Sequence, residues 1–182
     1  MADQKITELT AIGANVDPVD LVAIVDDPSG SPATKKATKS ELLGGGFGCV
    51  FRALGTTVTT LVKDVWTTVI FNSETFDIGS NYSTATGLFT APANGYYQFN
   101  AGVMVDSIVA GKRFVIALVI GSTNTTQAGI QTVAGKEGAS VSDVFYLTAA
   151  QTVSVKAYHN DTANRDTDTG NEYTWFSGIR LA

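Results

Sequence analysis

The residues best equipped for polar chemistry lie together between positions 159 and 172, in the run HNDTANRDTDTGNE. Oxygen-bearing side chains such as those of Asp166, Asp168 and Glu172 are the ligands that Ca²⁺ takes, although their spacing is not that of the twelve-residue EF-hand loop. Three interpretations stay open: a solvated loop, a calcium site, and a loop that contacts a receptor. The candidate receptor contacts are Asn160, Asp161, Asn164, Arg165, Asp166, Asp168 and Asn171.

The chain offers little for catalysis. It contains one His and one Cys, so a Ser-His or Cys-His pair would have to use His159, and no common His or Cys metal site can form. We find no paired carboxylates of the kind that hydrolyse glycans. We interpret His159 as a surface or hydrogen-bonded residue and Cys49 as a small buried one. The sequence predicts a protein that is not an enzyme and that needs no cofactor.

The net charge and the hydropathy of the chain disfavour two classes of partner, nucleic acids and membranes. The formal net charge is −5, which disfavours binding to a phosphate backbone, because that affinity requires Lys and Arg to displace counterions. No stretch approaches the ~20 apolar residues that cross a bilayer, and the start of the chain lacks the pattern of a signal peptide. We therefore expect no nucleic-acid partner, no membrane insertion, and synthesis in a cytoplasm without export.

Aromatic residues divide the chain into two parts. All 9 Phe, 6 Tyr and 2 Trp lie at Phe47 or later, and residues 1–46 end in three consecutive glycines. Aromatic side chains dominate core energetics, so the first part is poorly equipped to fold alone. We predict an N-terminal arm over residues 1–46 and a globular head over residues 47–182.

The arm has the pattern of a small hairpin. Residues 21–25 form an apolar, partly β-branched run, residues 26–32 are dense in turn formers, and residues 34–38 can pair back as a second strand. Residues 40–43 then read as an N-cap and one helical turn. Because an isolated two-stranded hairpin is marginal in water, we expect the arm to be ordered only when it is docked.

The head has the pattern of an all-β sandwich, in which short strands alternate with turn clusters. Residues 114–120 are continuously apolar, which predicts a strand buried on both faces by a second sheet or a neighbouring subunit. The predicted strands are residues 58–62, 65–71, 88–91, 95–105, 113–120, 127–133, 140–147, 152–158 and 173–181.

One constellation in the head resembles a known family. The spacing F-x5-D-x4-Y-x6-F-x5-G-x-Y-x-F is occupied by Phe71, Asp77, Tyr82, Phe89, Gly95, Tyr97 and Phe99. This resembles the signature of the globular head of complement component C1q, a jelly-roll family related to tumour necrosis factor. The final run from Trp175 to Leu181 is similar to the family's last strand. Ala101 departs from the family pattern, which has an aromatic residue there, and no collagen-like repeat precedes the head.

The resemblance implies a trimeric C1q/TNF-like jelly roll that binds by surface contact and needs no catalytic group. Three copies would pack strand faces about a three-fold axis and gain avidity by engaging together. The residues that we assign to the head core and trimer packing are Phe71, Tyr82, Phe89, Tyr97, Phe99 and Phe176.

The arm resembles a segment near the N-terminus of many bacteriophage virion proteins, tail fibres in particular. The matching runs are KITEL at residues 5–9, DLVAIVDDPSGSPATKKAT at residues 20–38, and Leu42-Leu43. The resemblance implies a location in the virion and docking on other virion proteins of the capsid or tail. The candidate docking residues are Ile6, Leu9, Leu21, Val22, Ile24, Val25, Leu42 and Leu43.

Arm and head together favour a virion structural protein that is made in the host cytoplasm. In the first hypothesis it is a trimeric fibre or spike whose head contacts a host cell-surface glycan or protein. In the second it is a capsid decoration protein, a head fibre or cement, docked at three-fold sites of the shell. The two differ in copy number per particle.

Overall fold

The computed structural model describes residues 21–26, 33–38, 49–169 and 173–181, with only the backbone for the first two ranges. Contacts between Cα atoms divide the chain into two units, Met1–Gly45 and Gly46–Ala182. Several candidates lie outside the described residues, as does the helical turn predicted at 40–43. These candidates are Ile6, Leu9, Leu42, Leu43, Asn171 and Glu172.

The first unit contains an antiparallel pair, β1 (Leu21–Asp26) and β2 (Ala33–Thr38). Leu21 lies opposite Thr38, and Asp26 lies opposite Ala33. The predicted pairing of these two runs is therefore confirmed at the level of the backbone. Four docking candidates lie on β1, namely Leu21, Val22, Ile24 and Val25.

The second unit, the head, is built from strands throughout its described residues. They are β3 (Val50–Leu54), β4 (Thr60–Leu61), β5 (Thr67–Thr68), β6 (Ser73–Ile78), β7 (Tyr82–Ser83), β8 (Leu88–Thr90), β9 (Gly95–Ile108), β10 (Arg113–Ile120), β11 (Thr123–Gln131), β12 (Gly135–Leu147), β13 (Thr152–His159), β14 (Arg165–Asp166) and β15 (Trp175–Arg180).

Two large antiparallel sheets make up most of the head, and β4 and β14 form a third, two-stranded antiparallel sheet. The front sheet has the order β12-β9-β15-β3-β6, and the back sheet has the order β11-β10-β13-β8-β7, with β5 paired to β13. The first and last strands of the head, β3 and β15, are neighbours in the front sheet. The all-β sandwich that the sequence predicts is confirmed, and among the described residues no helix is long and apolar enough to span a membrane.

Alternation along the strands of the front sheet creates the core. In β9, Tyr97 and Phe99 point inward as predicted, and both are fully buried. They join an aromatic cluster in which the ring of Phe51 stacks on Tyr82 with centroids 4.9 Å apart and meets Phe176 edge-on at 5.0 Å. The core therefore ties the first strand of the head to its last.

Some predicted elements differ from the structure. The strand predicted at 113–120 coincides with β10, and its residues 114–119 are buried as expected. The sequence did not predict β3. Residues 72–74 were predicted to form a turn, whereas β6 begins at Ser73. The turn expected at 121–124 is shorter, because β11 starts at Thr123, and the long polar loop contains the two-residue strand β14.

Candidate functional site

The six aromatic residues assigned to core and trimer packing lie inside one chain. Each is at most 6 % exposed. Tyr82 donates a hydrogen bond from its hydroxyl to the carbonyl oxygen of Phe71 at 3.0 Å, and burial raises the pKa of this tyrosine. These side chains therefore have no area left for a neighbouring subunit, and that part of the assignment is corrected. The six residues are Phe71, Tyr82, Phe89, Tyr97, Phe99 and Phe176.

The outer side of the front sheet carries a different apolar set, which we call the front face. Its members are between 44 and 56 % exposed, unusually high for large apolar side chains. They are Phe76, Ile78, Tyr96, Val144 and Tyr146.

Strand register places the members of the front face in two groups on the same side of the sheet. Tyr96 lies opposite Tyr146 on neighbouring strands, and their rings meet edge-on with centroids 5.3 Å apart. Phe76 and Ile78 follow the same alternation on β6, since the residue between them, Asp77, lies opposite the buried Phe51. The front face thus has one group on β12 and β9 and another on β6, with β15 and β3 between them.

Asp161 forms the centre of the polar loop and is fully buried. One of its carboxylate oxygens accepts hydrogen bonds from Arg165 Nε at 2.6 Å and from the backbone N–H of Val109 at 3.0 Å. The other accepts from the backbone N–H of Thr162 at 2.5 Å. Burial alone would raise the pKa of Asp161, but these donors outweigh it and hold the pKa well below its usual value. Asp161 therefore has a structural role and cannot contact a receptor.

The other candidate receptor contacts differ in how freely they face solvent. Asn160 and Asn164 are exposed, and Asn164 accepts a hydrogen bond from the backbone N–H of Lys63 at 3.1 Å. Arg165 is half-buried through its ion pair with Asp161. Asp166 is exposed and accepts from the hydroxyl of Thr60 at 2.6 Å.

One carboxylate of the calcium interpretation, that of Asp168, already has a cationic partner. Lys136 places its ammonium 2.6 Å from Asp168 and 3.2 Å from Asp106. Within the described residues, no three His, Cys, Asp or Glu side chains are arranged to hold a metal ion. Glu172 lies outside those residues. The ammonium group of Lys136 therefore already pairs with Asp168, and the calcium site stays a prediction.

His159 and Cys49 are both buried. The Nδ1 atom of His159 accepts a hydrogen bond from the backbone N–H of Asp161 at 3.2 Å, which leaves Nε2 to donate to the carbonyl oxygen of Leu61 at 3.1 Å. Burial raises the pKa of Cys49 to about 11, which makes its thiol a poor nucleophile. His159 is hydrogen-bonded but not at the surface, and Cys49 is the small buried residue that we expected.

The front face was missed because the family signature consists of inward residues. A signal was nevertheless present in the sequence: Tyr96 lies between Gly95 and Tyr97 of the signature, and Val144 and Tyr146 flank Phe145. Where apolar residues occupy both the odd and the even positions of a strand, both faces of that strand are expected to be covered. Applied to β9 and β12, that rule predicts Tyr96, Val144 and Tyr146 of the front face.

Comparison with family models matches residues 50–181 to the C1q domain. Comparison with curated protein sequences found no match.

Solved structures of the same fold are similar to the head. The globular domain of zebrafish complement 1qA has a TM-score of 0.57 at 16 % identity, over 74 % of this chain and 98 % of that one. Murine APRIL, in its structure at pH 5.0, has a TM-score of 0.57 at 14 % identity, over 73 % and 98 %. Eiger TNF from S. frugiperda has a TM-score of 0.55 at 12 % identity, over 74 % and 92 %. The sheet order, the buried signature and the family match lead to one conclusion: this chain belongs to the C1q domain family, with a C1q/TNF-like jelly-roll head.

Proposed function

We propose that the protein is a trimeric structural component of a bacteriophage particle, and that its head binds the surface of the host cell. The observation that carries the proposal furthest is the exposed front face on a C1q/TNF-like head. Domains of this fold typically associate as homotrimers. The head is then a binding module, in which three copies of each loop act together.

A second and a third copy of the chain are the partners that suit the front face. Five large apolar side chains on one sheet face are costly to leave in water, and burying their exposed parts contributes about 1 to 2 kcal/mol each at ~25 cal/mol per Å². Association also protects a broad antiparallel sheet from non-specific contacts. The residues concerned are Phe76, Ile78, Tyr96, Val144 and Tyr146.

The virion location rests on the resemblance of residues 5–43 to the N-terminal segments of phage structural proteins. The hairpin of β1 and β2 supplies a regular backbone, and its apolar residues from Leu21 to Val25 are suited to docking on a larger assembly. In this proposal the arm attaches the protein to the particle, and the head is the part that binds the host cell.

Receptor contact is assigned to the polar loop end of the head. Asn160, Asn164 and Asp166 are exposed there, on a segment anchored by the buried Asp161. Anchored polar loops on a rigid sandwich are suited to recognition. In a trimer the three copies raise the avidity of weak individual contacts.

Incorporation into particles tests the proposed location. Quantitative mass spectrometry of purified particles should detect the full chain, and deletion of residues 6–43 should remove it, because the head would lose its mount. Normal incorporation of the deletion variant would contradict the docking role of the arm. A few copies per particle support an attachment fibre, whereas tens to hundreds support capsid decoration.

Adsorption tests the binding role. Purified full-length protein should bind host cells and slow the adsorption of the phage by competition. Protein that neither binds cells nor competes would contradict the attachment function, whatever its location on the particle.

A further inference from the structure

The back sheet carries an open groove of about 470 Å³ at the edge formed by β10 and β11. Its polar lining comes from β10 and β11 and from residues adjoining β10 and β13, and consists of Lys112, Arg113, Gln127, Gln131 and Asn160. The groove lies on the back sheet, and none of its lining residues belongs to the front face.

Gly129 keeps the groove open. It lies opposite Val115 on the neighbouring strand, and a Cβ atom at this position would come within 2.9 Å of Val115 Cγ2 and 3.2 Å of the carbonyl oxygen of Phe114. A side chain at this position would therefore crowd Val115, which also lines the groove.

The groove is positively charged, whereas the protein as a whole carries a net negative charge. Lys112 and Arg113 are its charged lining residues, and it has no carboxylate, although the chain has 17 acidic residues against 12 basic ones. Within the described part of the chain, neither cation forms an ion pair, and the side-chain amides of Gln127 and Gln131 make no hydrogen bond. These donors and acceptors are available to a ligand.

Hydrogen bonds hold the groove in shape. Asn160 accepts from the backbone N–H of Arg113 at 2.6 Å and donates its own N–H to the Arg113 carbonyl at 3.2 Å, which leaves its amide NH₂ free. The buried hydroxyl of Thr132 accepts from the backbone N–H of Lys112 at 3.0 Å and donates to the carbonyl oxygen of Val109 at 2.6 Å. A preorganised site loses less entropy on binding.

An aromatic surface adjoins the groove. Tyr158 lies opposite Val115 on β13, and its ring packs against Trp66 with centroids 5.6 Å apart. Both rings are partly exposed. Their faces offer an apolar plane beside the charged and amide groups.

We propose that this groove binds a carboxylate-bearing oligosaccharide of the uronic-acid class. Arg113 and Lys112 match the sugar carboxylate, because charge-assisted bonds to carboxylates are strong and Arg presents a planar fork to them. The amides of Gln127, Gln131 and Asn160 match the ring hydroxyls, and the aromatic surface matches an apolar sugar face. The inference names a receptor class for the head and rests on its proposed binding role.

Titration of the full-length protein with defined oligosaccharides tests the inference. Trigalacturonate and a hyaluronan tetrasaccharide serve as the acidic probes, maltotriose as the neutral one, and inorganic phosphate as the simple anion. We expect at least one acidic probe to bind and to shift the side-chain amide NMR signals of Gln127, Gln131 and Asn160. Binding that is no tighter than that of maltotriose or phosphate would overturn the proposal.

A charge-matched pair of variants locates the site. Arg113→Gln should weaken binding of the acidic probe about tenfold or more, since it removes a charge-assisted hydrogen bond. Arg52→Gln makes the same change of residue and charge at an exposed position on β3 of the front sheet, outside the groove lining, and should leave the affinity within about twofold. Equal losses in the two variants would mean that only net charge matters and would refute the groove.

The sugar inference and the attachment function can fail separately. If the wild-type protein binds host cells but neither acidic probe binds, the sugar inference is refuted and the attachment function is unaffected. If an acidic probe binds through Arg113 but the protein neither binds cells nor slows adsorption, the groove stands and attachment falls.

Discussion

Gly178, near the end of the last strand, shows how closely aromatic rings pack in this head. A Cβ atom at this position would lie 2.6 Å from Phe51 Cε1 and 2.6 Å from Phe99 Cδ1. Both rings belong to the fully buried core, so neither can move aside freely. The small residue in the final run from Trp175 to Leu181 therefore has a packing explanation.

Gly178→Ala is expected to lower the free energy of unfolding by about 1 to 3 kcal/mol, the usual cost of overpacking a core. Urea unfolding at a fixed protein concentration measures it. Gly138→Ala is the matched control, because a Cβ at Gly138 would find its nearest neighbour at 3.5 Å, an ordinary contact. Equal stability of the two variants would contradict the packing account.

Asp161 makes stability depend on pH. Its pKa is lower in the folded chain than in the unfolded one, where it is about 3.9. The stabilisation is therefore present above about pH 4 and is lost as the pH falls through the folded pKa. Asp161→Asn should lower the free energy of unfolding at pH 7 by about 3 kcal/mol, because it leaves the charge of Arg165 without its partner.

Unfolding between about pH 2 and pH 5 should be less pH-dependent in Asp161→Asn than in the wild type, since the substituted residue no longer titrates. Asp64→Asn, at an exposed carboxylate, provides the control and should retain the wild-type profile. An unchanged profile in Asp161→Asn would show that Asp161 does not carry this dependence.

The orientation of a single side chain could be predicted from the sequence where the alternation along a strand determines it. The signature residues Tyr97 and Phe99 are two apart on one strand, so their shared inward face followed from the sequence. The burial of Asp161 did not, because it depends on a partner at Arg165 and on the N–H of Val109, which is distant in the chain. A polar loop sequence does not reveal which of its carboxylates folds inward.

At the scale of elements, strands with strong local patterns were predictable and short or mixed ones were not. β10 is continuously apolar, and its bounds matched the prediction. β3 lies beside the glycine-rich joint, and its regularity comes from pairing with β15 and β6, which are distant in sequence. β6 begins in a run that resembles a turn, Asn72-Ser73-Glu74, which tertiary pairing overrides.

β3 is therefore expected to contribute strongly to stability. Phe51→Ala should lower the free energy of unfolding by about 3 to 5 kcal/mol, since it removes a buried ring that touches Tyr82, Phe89 and Phe176. Chemical denaturation followed by far-UV circular dichroism measures the loss. A loss below about 1 kcal/mol would mean that β3 is not part of the cooperative core.

At the scale of the whole molecule, the front face is the surface that we propose joins three copies of the chain. Tyr146→Lys places a charge beside Tyr96 and should dissociate the trimer while the circular dichroism spectrum stays unchanged. Val133→Lys is the control, because Val133 is 67 % exposed in the turn between β11 and β12, away from the front face. A trimer that survives Tyr146→Lys and falls apart in Val133→Lys would place the interface elsewhere.

The molar mass of the full-length protein in solution decides whether three copies of the chain associate. Size-exclusion chromatography with multi-angle light scattering should give three times the 19.1 kDa of one chain at micromolar concentration. A mass of 19.1 kDa over the whole concentration range would contradict the trimer, and with it the account of the head as a three-fold binding module.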